Sequence, residues 1–190
     1  MIKNCYLYLR LHLRLKAFGQ CSRAQEAIKL IAFCLAAAVC LPSGAATRLT
    51  VSGVVTRVVD GDTLWVKTSA GLKPLKVRIQ GIDAPEICQA GGLQARDALK
   101  GRVWGQTVTV TSGAHDDYGR TLATVHVQGQ DIGRWMVSQG HAWVYSYRAR
   151  KALYGDEMAQ AKGARRGVFG GGVAEEPRVF RKRYGQCERS

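Results

Sequence analysis

The order of short strand-like segments along the chain constrains the fold more strongly than any other feature of the sequence. Five segments are rich in β-branched residues or alternate apolar with polar residues, which is typical of β-strands. They comprise residues 49–59, 63–68, 73–80, 108–110 and 120–127. A segment with helical spacing of its apolar residues, 93–104, lies between the third and the fourth. This order predicts an antiparallel meander, a helix, and two further strands.

Turn signals and two more helical segments complete this prediction. The sequence Asp60-Gly61-Asp62 is typical of a hairpin turn between the first two strands. Residues 132–139, with Asp131 as a cap, and residues 152–166 are predicted to be helical. We therefore predict a mainly β protein with α structure (α+β), an OB-fold five-stranded barrel with about three helices. That fold often binds nucleic acids.

The N-terminal region has the features of a secretory signal peptide. Lys29 precedes an apolar run, residues 30–41, and small residues follow, so cleavage is expected after Ala45 or Ala46. The run is too short for a transmembrane helix, which needs about 20 apolar residues. A lipoprotein signal ending at Cys40 is the alternative. The protein is therefore expected to be secreted or periplasmic, with no stable membrane insertion after cleavage.

The chain divides into three regions on these patterns. Residues 1–46 form an N-terminal extension plus signal peptide, residues 47–169 form the folded domain, and residues 170–190 form a basic C-terminal tail. Nothing in the sequence demands more than a monomer. The basic run at residues 181–183 is interpreted as solvated charge.

Positive charge is concentrated in the part of the chain that is expected to fold. The whole chain has 28 basic and 14 acidic residues, a formal charge of +14. Residues 47–190 retain +9, with 22 basic and 13 acidic residues. Because this charge does not belong to the signal peptide, an anionic partner is expected, with binding that weakens as salt rises.

Two cysteines remain after removal of the signal peptide. The chain has six cysteines, and four of them lie within residues 1–46. The other two, Cys88 and Cys187, favour a disulfide in an exported domain. Two free thiols are the alternative. A disulfide would tie the C-terminal tail beside the acidic turn described next.

One stretch, residues 77–86, combines an arginine with two carboxylates. Val77 and Ile79 alternate with polar neighbours, so Arg78 is expected on the face away from the apolar pair. Pro85 fixes the chain between Asp83 and Glu86. Acids and a guanidinium in fixed positions suit metal-dependent attack on a phosphate ester. A polar β-turn without chemistry is the alternative reading of this stretch alone.

Two further clusters suit the same chemistry. Asp60 and Asp62 lie in the first hairpin turn, and Arg120 follows Asp117-Tyr118-Gly119 at the start of the fifth strand. Carboxylates and a carbonyl are ligands for a hard cation such as calcium. Two arginines can bind the oxygens of a phosphoryl group as negative charge develops. A separate carboxylate can position or deprotonate water.

Three segments together resemble the staphylococcal nuclease family, secreted or periplasmic calcium-dependent nucleases with an OB-fold. They are Val59-Asp60-Gly61-Asp62-Thr63, the stretch from Val77 to Glu86, and Asp117-Tyr118-Gly119-Arg120-Thr121-Leu122-Ala123. The similarity covers roughly residues 51–169, and the loop after Glu86 is shorter than in the founding member. The resemblance implies hydrolysis of DNA and RNA with little sequence specificity, giving 3′-phosphate products.

The resemblance also implies a calcium site. Asp62 and Asp83 would bind Ca²⁺ through their carboxylates, and the Ala84 carbonyl would be a third ligand. Asp60 would support the site without contacting the ion.

The same resemblance assigns catalytic and substrate-binding roles. Arg78 and Arg120 would stabilise the phosphate in the transition state, and Glu86 would activate the attacking water. Tyr145 and Tyr147 would line the nucleotide pocket.

Two other functions compete with this interpretation. A non-catalytic OB-fold module that binds nucleic acid would need the fold and the charge but not the full set of acids and arginines. A basic interaction protein of the cell envelope would explain the charge and leave the three segments unexplained. Cleavage that depends on calcium distinguishes the first function from both alternatives.

Overall fold

The first three strands form an antiparallel meander, as the turn signals predict. In the computed structural model, which describes residues 48–145, 152–172 and 174–187, these strands are β1 (Leu49–Val58), β2 (Thr63–Thr68) and β3 (Leu75–Ile79). β1 pairs with β2, and β2 pairs with β3. The register places Thr63 opposite Arg78, so the hairpin turn at residues 59–62 lies beside the end of β3.

Two later strands close the sheet into a barrel. β5 (Thr107–His115) pairs antiparallel with β1 and with β6 (Thr121–Val127). β6 then pairs parallel with β3, which completes the order β3-β2-β1-β5-β6. This confirms the predicted mainly β fold with α structure, a five-stranded OB-type barrel. β5 extends to His115, so the loop before β6 is shorter than the predicted loop over residues 113–119.

Three very short strands lie at the margins of the barrel. β4 (Ile82–Asp83) pairs with β8 (Trp143–Val144), and β7 (Gln130–Asp131) pairs with the end of β6. The β4–β8 pairing sets Asp83 opposite Trp143. Asp83 is therefore positioned by backbone hydrogen bonding within a strand pair and does not belong to an irregular loop.

Three helices occupy the predicted places, and a fourth was not predicted. α1 (Gly92–Val103) lies between β4 and β5, α2 (Ile132–Ser138) follows β7, and α3 (Gly155–Gly163) is shorter than predicted. Asp131 caps α2 as expected, since its side chain accepts a hydrogen bond from the Arg134 N–H at 3.0 Å. α4 (Pro177–Tyr184) forms within the region interpreted as a basic tail.

The interior of the barrel holds the apolar faces of the strands and the inner faces of α1 and α2. The fully buried large side chains include Leu64, Ile79 and Ile82 from the strands, Leu99 from α1 and Met136 from α2. Burial of an aliphatic side chain of this size contributes about 1.5–3 kcal/mol. This packing fixes the ends of β2 and β3, from which the polar residues of the candidate site project.

The predicted signal peptide lies outside the described residues, all of which fall within one unit, Ala46–Ser190. Among the described helices, none is long and apolar enough to span a bilayer. The domain boundaries at residues 46 and 169 stay predictions.

Candidate active site

The turn between β1 and β2 brings two acids to the end of the barrel. The Asp62 N–H donates to Asp60 Oδ1 at 3.0 Å, and the Val59 N–H donates to the Thr63 carbonyl at 2.9 Å. A Cβ at Gly61 would lie 2.6 Å from Ala84 Cβ, a separation that side chains do not tolerate. Glycine is therefore what lets this turn approach residue 84.

Arg78 connects the two buried aspartates. Its Nη2 donates to Asp83 Oδ1 at 3.1 Å, and its Nη1 forms an ion pair with Asp62. Asp62 and Asp83 are only 6% and 4% exposed. Asp62 Oδ2 also accepts a hydrogen bond from the Ala84 N–H at 2.9 Å. As predicted, Arg78 lies on the face opposite Val77 and Ile79. Its guanidinium is surrounded by acidic side chains and is largely shielded from solvent.

Burial and neighbouring charges shift the pKa values of these groups. Burial, then the neighbouring charge of Asp62, raises the pKa of Asp60 to about 7. Burial also opposes ionisation of Asp62, but the Arg78 charge and the Ala84 N–H outweigh it and hold the Asp62 pKa below its usual value. Burial disfavours the charged form of Arg78, yet Asp62 and Asp83 raise its pKa above the usual range. Arg78 is therefore a permanent cation.

Arg120 reaches the same place from the start of β6. Its Nε donates to Asp116 Oδ2 at 2.7 Å, and its Nη1 donates to Thr63 Oγ1 at 3.3 Å. The Thr63 hydroxyl in turn donates to Asp62 Oδ1 at 3.0 Å. Thr63 therefore links the second predicted arginine to the acids of the first hairpin.

Glu86 joins this network through a residue that the sequence interpretation placed in solvent. Arg181 of α4 donates to Asp83 Oδ2 at 2.8 Å, to Asp83 Oδ1 at 3.1 Å and to Glu86 Oε1 at 3.0 Å. Only 26% of its side chain is exposed. The interpretation of residues 181–183 as solvated charge is wrong for Arg181, because the attraction of two carboxylates exceeds the cost of partly burying the guanidinium.

The predicted disulfide is present. Cys88 and Cys187 are bonded, with their Cα atoms 5.8 Å apart. A second connection runs through Gln89, whose side chain accepts from the Glu86 N–H at 3.2 Å and donates to the Glu175 carbonyl at 2.7 Å. The short loop after Glu86 is thus fastened to the C-terminal segment on both sides of α4.

The two predicted tyrosines are not part of this network as described. Tyr145 is 40% exposed, and its backbone N–H donates to the Gly81 carbonyl at 2.9 Å. Tyr147 lies outside the described residues. A substrate-binding role for both stays a prediction.

Four contributing residues were missed in the sequence: Thr63, Gln89, Asp116 and Arg181. Asp116 had a recognisable signal, since an aspartate ahead of a Tyr-Gly-Arg turn commonly accepts backbone N–H groups. Arg181 also had one, because it lies shortly before Cys187 and a disulfide to Cys88 brings that stretch to Glu86. Gln89 and Thr63 act through side-chain hydrogen bonds that no local pattern encodes.

The donor set suits a hard divalent cation. Asp62 and Asp83 offer carboxylate oxygens at one end of the barrel, and both side chains are almost fully buried. Within the described part of the chain, no three side chains of His, Cys, Asp or Glu cluster as a complete metal cage. A cation here would therefore need a carbonyl and water to complete its coordination.

Comparison with known proteins agrees with this geometry. An OB-type barrel serves many functions, so the class of protein is inferred from the site, where arginines and carboxylates suited to hydrolysis of a phosphate ester converge. The model of the family described as staphylococcal nuclease homologue matches residues 76–169.

Full-length relatives extend the similarity beyond that segment. A protein described as an uncharacterized endonuclease from Haemophilus influenzae is 39% identical over 130 residues, which cover 67% of this chain and 71% of the relative. Protein ParB from Escherichia coli is 39% identical over 143 residues, 68% of this chain and 78% of its own length. Micrococcal nuclease from Shigella flexneri is 33% identical over 171 residues, 84% and 94% of the two chains. The chain belongs to the staphylococcal nuclease family, and the protein is a nuclease, a hydrolase of phosphodiester bonds.

Proposed function

We propose that the protein is an exported, calcium-dependent nuclease that hydrolyses DNA and RNA with little sequence specificity and leaves 3′-phosphate ends. One observation carries this proposal. A continuous set of hydrogen bonds and ion pairs links Arg120, Thr63, Asp62, Arg78 and Asp83 at the end of the barrel. Both arginines and both aspartates of the proposed site therefore belong to one side-chain network, and Arg181 connects Glu86 to it.

The metal site of this proposal uses the two buried aspartates. Asp62 and Asp83 would hold Ca²⁺ with the Ala84 carbonyl. Asp60 would support Asp62 by accepting a hydrogen bond from the Asp62 backbone N–H. When bound, the cation supplies a Lewis acid that polarises a phosphoryl oxygen and orders water beside it. Oxygen-only ligands and an incomplete protein cage favour a partly hydrated, weakly held hard cation over zinc.

The chain's own side chains supply the other parts of the reaction. Glu86 accepts a proton from the attacking water while the water oxygen bonds to phosphorus. The bond from phosphorus to the 5′-oxygen breaks. The leaving strand takes a proton from solvent water at its 5′-oxygen, Glu86 returns its proton to solvent, and the phosphate stays on the 3′-oxygen. Arg78 and Arg120 donate to the phosphoryl oxygens as their negative charge grows.

Low sequence specificity follows from what the site offers to a nucleic acid. Guanidinium groups and a cation recognise phosphate, which is the same at every nucleotide. Tyr145, exposed beside β8, and Tyr147 are proposed to contact the sugar or base of the nucleotide at the site. A formal charge of +9 on residues 47–190 adds attraction that does not depend on sequence.

The direct test of this function is cleavage by the purified mature protein. Plasmid DNA and a defined RNA are incubated with the protein and either calcium or a chelator, and the new ends are analysed. We expect cleavage with calcium alone, at many positions, and 3′ ends that a polymerase extends only after phosphatase treatment. Salt-sensitive binding without cleavage would contradict the proposal and favour the non-catalytic binding module.

Export and a monomeric state belong to the same proposal. The described disulfide between Cys88 and Cys187 supports export, because disulfides persist in oxidising compartments such as the periplasm. Sequencing the N-terminus of the protein from the periplasm or the medium should give a start after Ala45 or Ala46. Light scattering on that material should give the mass of a monomer.

A further inference from the structure

The C-terminal helix α4 lies beyond the segment that the family model matches, yet it contacts the candidate site. α4 begins at Pro177, whose side chain is buried, and ends at Tyr184, three residues before Cys187. The disulfide fastens the end of α4 to Cys88, and the Glu175 carbonyl ahead of α4 accepts from Gln89. Both ends of α4 are therefore held against the loop that follows Glu86.

Arg181 is the residue of α4 that this arrangement directs into the site. It binds both oxygens of Asp83 in the parallel, two-pronged geometry that a guanidinium favours. Its Nη1 is shared with Glu86 Oε1 at 3.0 Å. Arg183 of the same helix is 60% exposed and pairs with Glu175 instead. Of these two arginines of α4, Arg181 is therefore the one that contacts Asp83 and Glu86.

The position of the Glu86 side chain depends on Arg181 more than the position of the Asp83 side chain does. Asp83 is buried within β4 and also binds Arg78. The Glu86 side chain, 24% exposed, lies after the end of β4, and among the described residues Arg181 is its hydrogen-bonding partner. Glu86 Oε2 is not used in that contact. A guanidinium that touches both carboxylates fixes the distance between them.

The charge of Arg181 also suits an anionic substrate. Four acids, namely Asp60, Asp62, Asp83 and Glu86, lie in this part of the protein, and Arg78 is the barrel's guanidinium among them. Burial works against the charged form of Arg181, but its hydrogen bonds to Asp83 raise its pKa above the usual range. A second permanent cation reduces the repulsion between these acids and a phosphodiester.

We propose that Arg181 is a positioning residue of the nuclease reaction, which holds the Glu86 carboxylate at a fixed distance from Asp83 and leaves Glu86 Oε2 to accept the proton of the attacking water. The proposal rests on the proposed function. It makes α4 and its disulfide to Cys88 a part of the active site, although α4 and Cys187 lie outside the segment that the family model matches.

The test compares Arg181→Gln with Arg183→Gln, which removes the same charge from the same helix at a position that does not contact Asp83 or Glu86. At saturating calcium we expect kcat of Arg181→Gln to fall about 10- to 100-fold, because a misplacement of about 1 Å costs about 100-fold. KM should change less than about threefold, since the arginines of the barrel still bind the phosphate. Arg183→Gln should keep the wild-type kcat.

Two further measurements separate positioning from other roles. Guanidinium ion at a non-denaturing concentration should restore part of the kcat of Arg181→Ala, and Arg181→Lys should retain an intermediate kcat. Calorimetric titration of calcium without substrate should show that Arg181→Gln still binds the ion. Circular dichroism of the same samples checks that the barrel is folded, and Arg181→Lys serves if Arg181→Gln is not.

The proposal is overturned if Arg181→Gln keeps the wild-type kcat and binds calcium more tightly. Arg181 would then be an internal competitor that occupies the carboxylates until a cation displaces it. An unchanged kcat with unchanged calcium binding would equally refute the positioning role. These outcomes require an active wild-type protein, so they are distinct from failure of the proposed function, in which the wild type does not cleave.

Discussion

At the scale of single residues, Asp116 holds Arg120 in position without any substrate. Asp116 accepts from the backbone N–H of Tyr118 at 3.0 Å and of Arg120 at 2.8 Å, and from Arg120 Nε at 2.7 Å. One carboxylate thus shapes the turn before β6 and orients the guanidinium that follows it. Arg120 is aimed by the turn itself, which lowers the entropy cost of placing it against a phosphate.

This arrangement predicts a change in how stability depends on pH. Burial opposes ionisation of Asp116, but the hydrogen bonds from Arg120 outweigh it and hold the Asp116 pKa below 3.8. A lowered pKa in the folded state stabilises the fold above the unfolded pKa, and that contribution is lost as pH falls through the folded value. Asp116→Asn should therefore lose stability at pH 7, by about 1–3 kcal/mol, and the loss should shrink as pH falls below 3.8. Urea denaturation across a series of pH values measures this change.

The residue types of the barrel part of the site were predictable, and their mutual contacts were not. Arg78 was placed correctly because alternation in β3 is a local property of the strand. Its enclosure by Asp62 and Asp83 depends on the pairing of β2 with β3 and of β4 with β8, which joins residues distant in sequence. The prediction that Arg181 is solvated is wrong for the same reason. A run of basic residues is expected to face solvent unless acidic partners distant in sequence are known.

At the scale of elements, the turn of the β1–β2 hairpin packs tightly against its neighbours. The turn carries Asp60 and Asp62 and packs against α1 as well as β4. A Cβ at Gly61 would lie 2.6 Å from Ala84 Cβ and 2.8 Å from Ala95 Cβ, and both of these atoms are attached directly to backbone. A side chain at residue 61 would therefore displace the turn and with it Asp62, a ligand of the proposed metal site.

Gly61→Ala should accordingly damage both stability and activity. We expect a loss of about 1–3 kcal/mol in the free energy of unfolding, the usual cost of overpacking, and weaker calcium binding because Asp62 moves. Gly101→Ala is the matched control, because Gly101 lies in α1 with no atom within 4 Å of its Cβ position. It should gain about 0.5–1 kcal/mol by removing a glycine from a helix. Equal effects of the two changes on urea denaturation would contradict this account.

The strands and the first helices were predictable because their signals are local, whereas α4 was not. Hairpin turns, strand alternation and the Asp131 cap act over a few residues. α4 follows Gly170-Gly171-Gly172, and four of its eight residues are basic. Pro177, Phe180 and Tyr184 recur at helical spacing, but this signal covers only about two turns, so the charge dominated the interpretation. Its position is determined by the burial of Pro177, by the disulfide and by Arg181, and the last two contact residues about a hundred positions away.

At the scale of the whole molecule, one covalent link joins the C-terminal segment to the barrel. The disulfide spans 99 positions, so in the unfolded chain it closes a long loop and removes much conformational entropy. It also lies directly beside the turn that carries Glu86. Stability and catalysis are therefore expected to depend on the same bond.

Replacing both cysteines, Cys88→Ser with Cys187→Ser, should cost about 2–5 kcal/mol in the free energy of unfolding. The double variant should also lose kcat, because α4 and Arg181 are no longer held against Glu86. Thermal melting, digestion by a protease that cleaves after arginine, and turnover measure the three effects. Reductant should lower the stability of the wild type and leave the double variant unchanged, and a wild type insensitive to reductant would count against the link.

The central claim is that the network at the end of the barrel cleaves phosphodiesters, and Arg78→Lys tests it most directly. Lysine keeps the positive charge but lacks the planar fork that meets Asp83 and a phosphate together. With calcium present, kcat/KM on DNA should fall by about 10²–10³-fold, while Lys76→Gln, an exposed change on the same strand, should leave it unaltered. If Arg78→Lys cleaves DNA within about threefold of the wild type, a difference of less than 1 kcal/mol, the catalytic site lies elsewhere.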